Sequence, residues 1–254
     1  MTRDERGMED GGAVRPSSFD VLYLDNHLLV VVKPVGLLAQ ADRTGDPDLL
    51  SLGKAYLKSR FDRPGDVFLG LVHRLDRPVS GVMVLARTSK AAARLTQAFR
   101  ERRVEKRYLA VVEGRLTGEG ERTDWLLKAK GHVRAVAAGT PGAKEAVLRW
   151  KALAVEGRRS LVEVELLTGR AHQVRVQLAA LGAPILGDLR YGAKEELDGR
   201  NLALHAYRLA FEHPVRRVPL AFAAPPPATW QGLFAPQIAR LVGTTDHGPR
   251  TTDG

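Results

Sequence analysis

The stretch His73-Arg-Leu-Asp-Arg-Pro-Val-Ser-Gly81 places one carboxylate, Asp76, between Arg74 and Arg77. Apolar segments flank it, Phe68-Leu-Gly-Leu-Val72 before and Val82-Met-Val-Leu-Ala86 after, so it reads as a polar loop interrupting buried strands. Pro78 and Gly81 disfavour a helix there. A carboxylate fixed at a strand edge and kept ionised by neighbouring cations can act as a nucleophile or a base. The same residues also fit an aspartate tied to Arg74 or Arg77 in a structural turn, and local chemistry leaves both readings open.

The rest of the chain removes most competing chemistries. There is no cysteine, which excludes disulfides, thiolate metal sites and a cysteine nucleophile. The seven histidines do not fall at metal-binding spacings, and no Walker loop or Gly-x-Gly-x-x-Gly follows a strand, so neither a metal nor a cofactor is expected. Ser80 precedes a glycine, but Pro78 stands where a nucleophile elbow needs its first Gly. Lys and Arg number 39 against 29 Asp and Glu, a formal charge of +10, which favours a polyanionic partner. Nucleic acid is the first candidate. An anionic membrane surface competes, yet no apolar run approaches the roughly 20 residues that span a bilayer. Residues 1–18 lack the order of a secretory signal, and a cytoplasmic location is the simplest fit.

The elements that must hold these side chains can be read from periodicity. Residues 1–17 suggest a flexible arm, 18–242 one catalytic body and 243–254 a flexible tail. Phe19 to Leu24 and Leu28 to Val32 read as paired strands ending at Lys33-Pro-Val-Gly36. Leu49 to Phe61 has helical spacing and is closed by Arg63-Pro-Gly65. Thr88-Ser89 can cap a helix with the apolar stripe Ala92, Leu95, Ala98 and Phe99. Its last turn is expected to carry Arg100, Arg102, Arg103, Lys106 and Arg107, either as a solvated helix end or as phosphate contacts. Tyr108 to Val112 is a strand; 115–151 suggests short strands broken by Gly-rich turns; Ser160 to Leu166 alternates cleanly. Leu167 to His172 turns into a helix that buries Val174, Leu178 and Leu181 and leaves Arg175 free to reach a neighbouring cleft. Leu202 to Phe211 and Val218 to Phe222 form the last strands, and a short helix spans Trp230 to Leu241.

Four blocks in order, Val32-Lys-Pro-Val-Gly36, His73-Arg-Leu-Asp76 with Ser80-Gly81, Lys106-Arg-Tyr-Leu-Ala-Val-Val-Glu-Gly114 and Thr168-Gly-Arg-Ala-His-Gln-Val-Arg175 running on to Gly187-Asp188, resemble the RluA-type pseudouridine synthases. Leu204-His-Ala206 and His213-Pro-Val215 extend the similarity over about residues 19–226. The resemblance implies an α+β fold, a mixed and mostly antiparallel sheet with flanking helices and a central catalytic cleft. It implies Asp76 as catalytic aspartate, Tyr108 as active-site tyrosine and Arg175 as the basic partner of the aspartate. Arg74 is then a candidate to fill the space left by the target base, and RNA contacts are expected from His73, Arg77, Arg170, Lys33, Arg102 and Arg103 as well.

The implied reaction isomerises uridine in ribosomal or transfer RNA, with Asp76 attacking C1′ or removing a ribose proton to give a glycal. A paired uridine must first be flipped out, at a cost of about a few kcal/mol that a basic groove can offset. The chain departs from the commonest family pattern at Val79, where a threonine usually precedes the Ser-Gly, so that hydroxyl is dispensable here. A complete extra RNA-binding domain before Phe19 is not expected from residues 1–18. A monomer without membrane association is expected. The rival readings are a non-catalytic RNA-binding or ribosome-assembly factor, and a nucleoside hydrolase, for which no second carboxylate is evident near the loop.

Overall fold

A computed structural model describes residues 19–62, 65–129, 131–199 and 201–243. The arm expected over 1–17, the Arg63-Pro64 part of the first helix stop and the tail from 244 onward lie outside the described residues. The described strands are β1 (Asp20–Leu24), β2 (Leu28–Lys33), β3 (Gly70–Leu71), β4 (Ser80–Ala86), β5 (Glu105–Glu113), β6 (Glu119–Ala129), β7 (His132–Val136), β8 (Lys144–Glu156), β9 (Arg159–Leu166), β10 (Leu204–Glu212) and β11 (Pro219–Ala223). They form one sheet in the order β1-β2-β4-β10-β5-β9-β8-β6-β7, with β11 on β10 and β3 on β4. Only the β4–β10 pairing is parallel among the described strands. Helices α1 (Leu49–Phe61), α2 (Ser89–Arg100), α3 (Gln173–Ala180) and α4 (Ala235–Gly243) flank it.

Local chemistry explains the boundaries. The Asp25 carboxylate accepts the N–H groups of His27 and Leu28, closing the β1–β2 turn. Asp48 caps α1 through Ser51 N–H and Thr88 caps α2 through Ala91 N–H, each supplying an acceptor to an otherwise orphaned donor. Because β2 and β4 are central, they are buried on both faces: Leu29, Val31, Met83 and Leu85 enter one core cluster, and Leu28, Val30, Val82 and Val84 enter another under α2. Among the described residues no helix is long and apolar enough to cross a membrane.

Four expectations need correction. The basic run does not lie on one helix turn: α2 stops at Arg100, Arg102 adopts a left-handed backbone (φ 59°), and Arg103 N–H returns to the Ala98 carbonyl at 2.9 Å. Lys106 and Arg107 are recruited into β5 by pairing with β9 and β10. The middle segment holds long strands, 11 residues in β6 and 13 in β8. Gly120 continues β6 because it sits opposite Trp150, where an added Cβ would stand 3.3 Å from the indole nitrogen. Of Phe68 to Val72 only Gly70–Leu71 pairs as strand, and the final helix begins at Ala235 after a single 3-10 turn at Ala228–Trp230.

Candidate active site

The loop carrying Asp76 is pinned at both ends and through its middle. Beyond Leu71 the β3–β4 ladder stops, and the His73 imidazole takes its place by accepting the Val84 N–H at 3.0 Å. The ring also stacks on Phe99 with centroids 4.7 Å apart. Burial, with the nearby Lys106 charge, pushes the His73 pKa down to about 3, so the ring stays neutral and can accept. Leu75 and Val79 are buried, and Val79 N–H closes a turn onto the Asp76 carbonyl at 3.0 Å. At the far end Ser80 bonds His205 on β10, and Gly81 (φ 134°) pairs so tightly with Ala206 that a Cβ would lie 2.4 Å from its carbonyl oxygen.

Lys33 and Arg77 lock the same loop from below. Lys33 is fully buried and its ammonium donates to the carbonyls of Pro34, Leu37 and Arg77 at 2.8–3.3 Å. Burial lowers its pKa to about 7, against the opposing pull of Asp76. Arg77 turns away from Asp76 to bond the Gly36 carbonyl at 3.0 Å and pair with Asp46 at 2.7 Å. Arg74 is exposed in the cleft, with no hydrogen-bond or ion-pair partner among the described residues.

A second group of side chains reaches Asp76 from α3 and the loop before it. Thr168 and the Arg170 N–H both donate to the buried Gln173 amide oxygen, which fixes that loop against the helix start. Arg175, 6% exposed, forms a bidentate pair with buried Asp188 at 2.7 and 2.8 Å and reaches Asp76 Oδ2 with Nη1 at 3.6 Å. Burial alone would lower the arginine pKa, but the Asp188 hydrogen bonds and charge, with Asp76, outweigh it and raise it. Tyr191 lies under the guanidinium, 4.9 Å from ring centroid to Cζ, and its hydroxyl bonds His172 Nδ1 at 2.7 Å. His172 Nε2 stands 3.8 Å from Asp76 Oδ2, and burial lowers the pKa of this ring. Both contacts to Asp76 exceed hydrogen-bond length, so its carboxylate accepts no hydrogen bond from the described residues and keeps its lone pairs open.

Asp76 and His172 face a cleft of about 950 Å³ lined by the Asp76 loop, the end of α2, the start of β5 and residues 166–172. Tyr108 projects into it from β5; burial and then Asp76 raise its pKa, so the phenol keeps its proton. That hydroxyl has no partner among the described residues. Arg100, Arg102, Lys106, Lys128 and Arg170 make the cleft walls cationic.

Residues 27–180 match the family model described as RNA pseudouridylate synthase. The chain is 36% identical over 229 residues to the ribosomal large subunit pseudouridine synthase D of Xanthomonas campestris, covering 85% of this chain and 68% of that one. It is 34% identical over 239 residues to the tRNA pseudouridine synthase C of Vibrio parahaemolyticus, covering 86% and 95%. The chain belongs to the RluA-type RNA pseudouridine synthases. The solved structure of human RNA pseudouridylate synthase domain containing 4 superimposes with a TM-score of 0.69 at 25% identity, over 88% of this chain and 93% of that one. This synthase is therefore an isomerase that converts uridine in RNA to pseudouridine, on an α+β fold.

Of the residues expected at the synthase site, the fold brings Asp76, Tyr108 and Arg175 together, with Arg74, Arg102 and Arg170 on the cleft walls. It buries Lys33, and it uses His73 and Arg77 to fasten the loop through the bonds described above while both also line the cleft. Arg103 is turned from the cleft toward Glu101, at 2.6 Å, and a small pocket beside Pro214. Three residues were missed: Asp188 and His172, which lie inside quoted motifs without a role, and Tyr191, three residues past the last block. The signal available for Asp188 was a lone carboxylate in an apolar loop, Ile185-Leu-Gly-Asp-Leu189.

Proposed function

We propose that Asp76 is the reactive carboxylate of the isomerisation. One observation carries this reading: Asp76 lies in a basic cleft with unoccupied lone pairs, although Arg175 and His172 stand within 4 Å of the same oxygen. A structural ion pair would have consumed those lone pairs with Arg74 or Arg77. Arg74 has no partner among the described residues and Arg77 is committed to Asp46 and Gly36, which disfavours the structural reading.

In this proposal a uridine flipped from its stack enters between Asp76 and Tyr108, and Arg74 occupies the space that it leaves. Asp76 Oδ2 then either attacks C1′ or takes a ribose proton, and Arg175 holds the carboxylate by charge without covering it. Asp188 fixes the guanidinium plane through two bonds, so Arg175 can face Asp76 only by Nη1. Tyr108, protonated and unpartnered, is placed to contact the freed base and to help return the proton at the end. The substrate is ribosomal or transfer RNA, the two classes in the relatives' names. Mapping pseudouridines in cellular RNA with the gene intact, deleted or carrying Asp76→Asn tests this. Sites lost in both altered strains are expected; sites that persist with Asp76→Asn would overturn the assignment.

A further inference from the structure

Lys106 departs from the way this chain treats its other buried or half-buried cations. On β5 it alternates with Arg107, and the two face opposite sides of the sheet. Arg107 is neutralised by Glu105 at 2.6 Å and Glu163 at 3.4 Å. Lys106, two residues before Tyr108 and on the same face, has no carboxylate within 4 Å among the described residues. Its one hydrogen bond is a long one, 3.4 Å to the Thr168 carbonyl. Lys33, also without a carboxylate, is satisfied by three carbonyls; Lys106 is not.

The surroundings are cationic as well. Arg102 from the turn after α2 and Arg170 from the loop before α3 converge on Lys106, and both are anchored by Glu145, through its carboxylate at 3.3 Å and its backbone carbonyl at 2.8 Å. Neutral His73 lies on the Asp76 side. Gly169 lies against the ammonium, where an added Cβ would meet Nζ at 4.0 Å. Burial first, then Arg102 and Arg170, lower the Lys106 pKa to about 8, the mark of a charge held where an anion is missing.

We propose that Lys106, with Arg102 and Arg170, forms a preformed site for one backbone phosphate of the RNA, next to the flipped uridine. Lys106 and Tyr108 are about 7 Å apart along the strand, comparable with the span of one nucleotide. A phosphodiester there would receive a compact ammonium and two guanidiniums in place of water, and would set the sugar's distance from Asp76. This rests on the RNA synthase reading above.

The test uses the full chain with in vitro transcribed ribosomal and transfer RNA. Lys106→Met should weaken binding about tenfold or more and reduce the slope of log K against log salt by about one, while Lys106→Arg keeps the slope. Binding by the wild type should take up a proton above pH 8, so affinity falls by up to about tenfold per pH unit there; Lys106→Met should lose that dependence. The melting temperature of Lys106→Met should hold or rise, because an uncompensated charge is removed. An unchanged salt slope, or a lowered melting temperature with unaltered binding, would make Lys106 a structural prop of Thr168 and overturn the proposal. Pseudouridine formation by the wild type, measured on the same RNA, separates this outcome from failure of the catalytic reading.

Discussion

One face of the central strands carries a ladder of alternating charge, and the other carries the cleft. Across β10, β5, β9, β8 and β6 the ladder runs Arg208–Glu105 at 3.2 Å, Arg107 to Glu105 and Glu163, Arg149 to Glu165 and Glu121, and Lys151–Glu119 at 3.0 Å. The Tyr207 hydroxyl also donates to Glu163. Most of these groups are partly exposed, so each pair contributes only about 0–1 kcal/mol. Their effect is to leave that face with little net field. On the cleft face, among the described residues, Arg74 has no partner, Lys106 has only a carbonyl, and Asp76 has cations nearby but no hydrogen bond. Charge density therefore does not distinguish the site. Missing compensation does, and compact proteins tolerate it where a ligand completes the pairing.

Substitutions on the two faces should separate accordingly. Asp76→Asn is expected to abolish turnover in a tritium-release assay while the dissociation constant for RNA stays within about twofold, since one lost carboxylate hardly changes a cationic cleft. Retained turnover would remove the contrast altogether. Asp188→Asn should cost about 3–5 kcal/mol in denaturant unfolding, by leaving the buried Arg175 guanidinium half-compensated, and should lower kcat as that guanidinium loses its fixed plane. Stability equal to the wild type would show that Asp76 alone suffices to hold Arg175.

Smaller effects sharpen the boundary between the faces. Arg102→Ala should weaken RNA binding and reduce its salt slope by about one, whereas Arg103→Ala, at a guanidinium paired with Glu101 at 2.6 Å and turned from the cleft, should leave the slope unchanged. Equal slopes for the two variants would place RNA on the α2 end as a whole. Glu163→Gln, in the ladder, should cost about 1 kcal/mol through its bonds to Tyr207 and Arg107 and leave RNA affinity unaltered.

Local pattern places the Asp76 loop, the Tyr108 strand and the Arg175 helix: turn formers between apolar runs, alternation, and stop signals around a short amphipathic segment. The roles expected of the three side chains rest instead on the resemblance of four motif blocks to the RluA-type synthases, since local chemistry leaves Asp76 open between a structural and a reactive carboxylate. Charge and motif suggest Lys33, His73 and Arg77 as RNA contacts; His73 and Arg77 line the cleft, whereas Lys33 is buried. Their actual partners, the Pro34, Leu37 and Arg77 carbonyls, the Val84 N–H and Asp46, depend on how chain segments meet, and nothing in their residue types announces it. Tyr191 was overlooked for the same reason, since its importance comes from lying under Arg175 and beside His172.

Residue types and periodicity settle the strand and helix segments around the site, the lone carboxylate of the loop and a surplus of cations. Those depend on local propensity and composition, which act over a few residues at a time. Which of those cations find a carboxylate among the described residues, and which do not, depends on the tertiary structure. That distinction depends on sheet order, on which face of β5 each side chain takes, and on contacts such as Lys106 with Thr168 that join residues 62 positions apart.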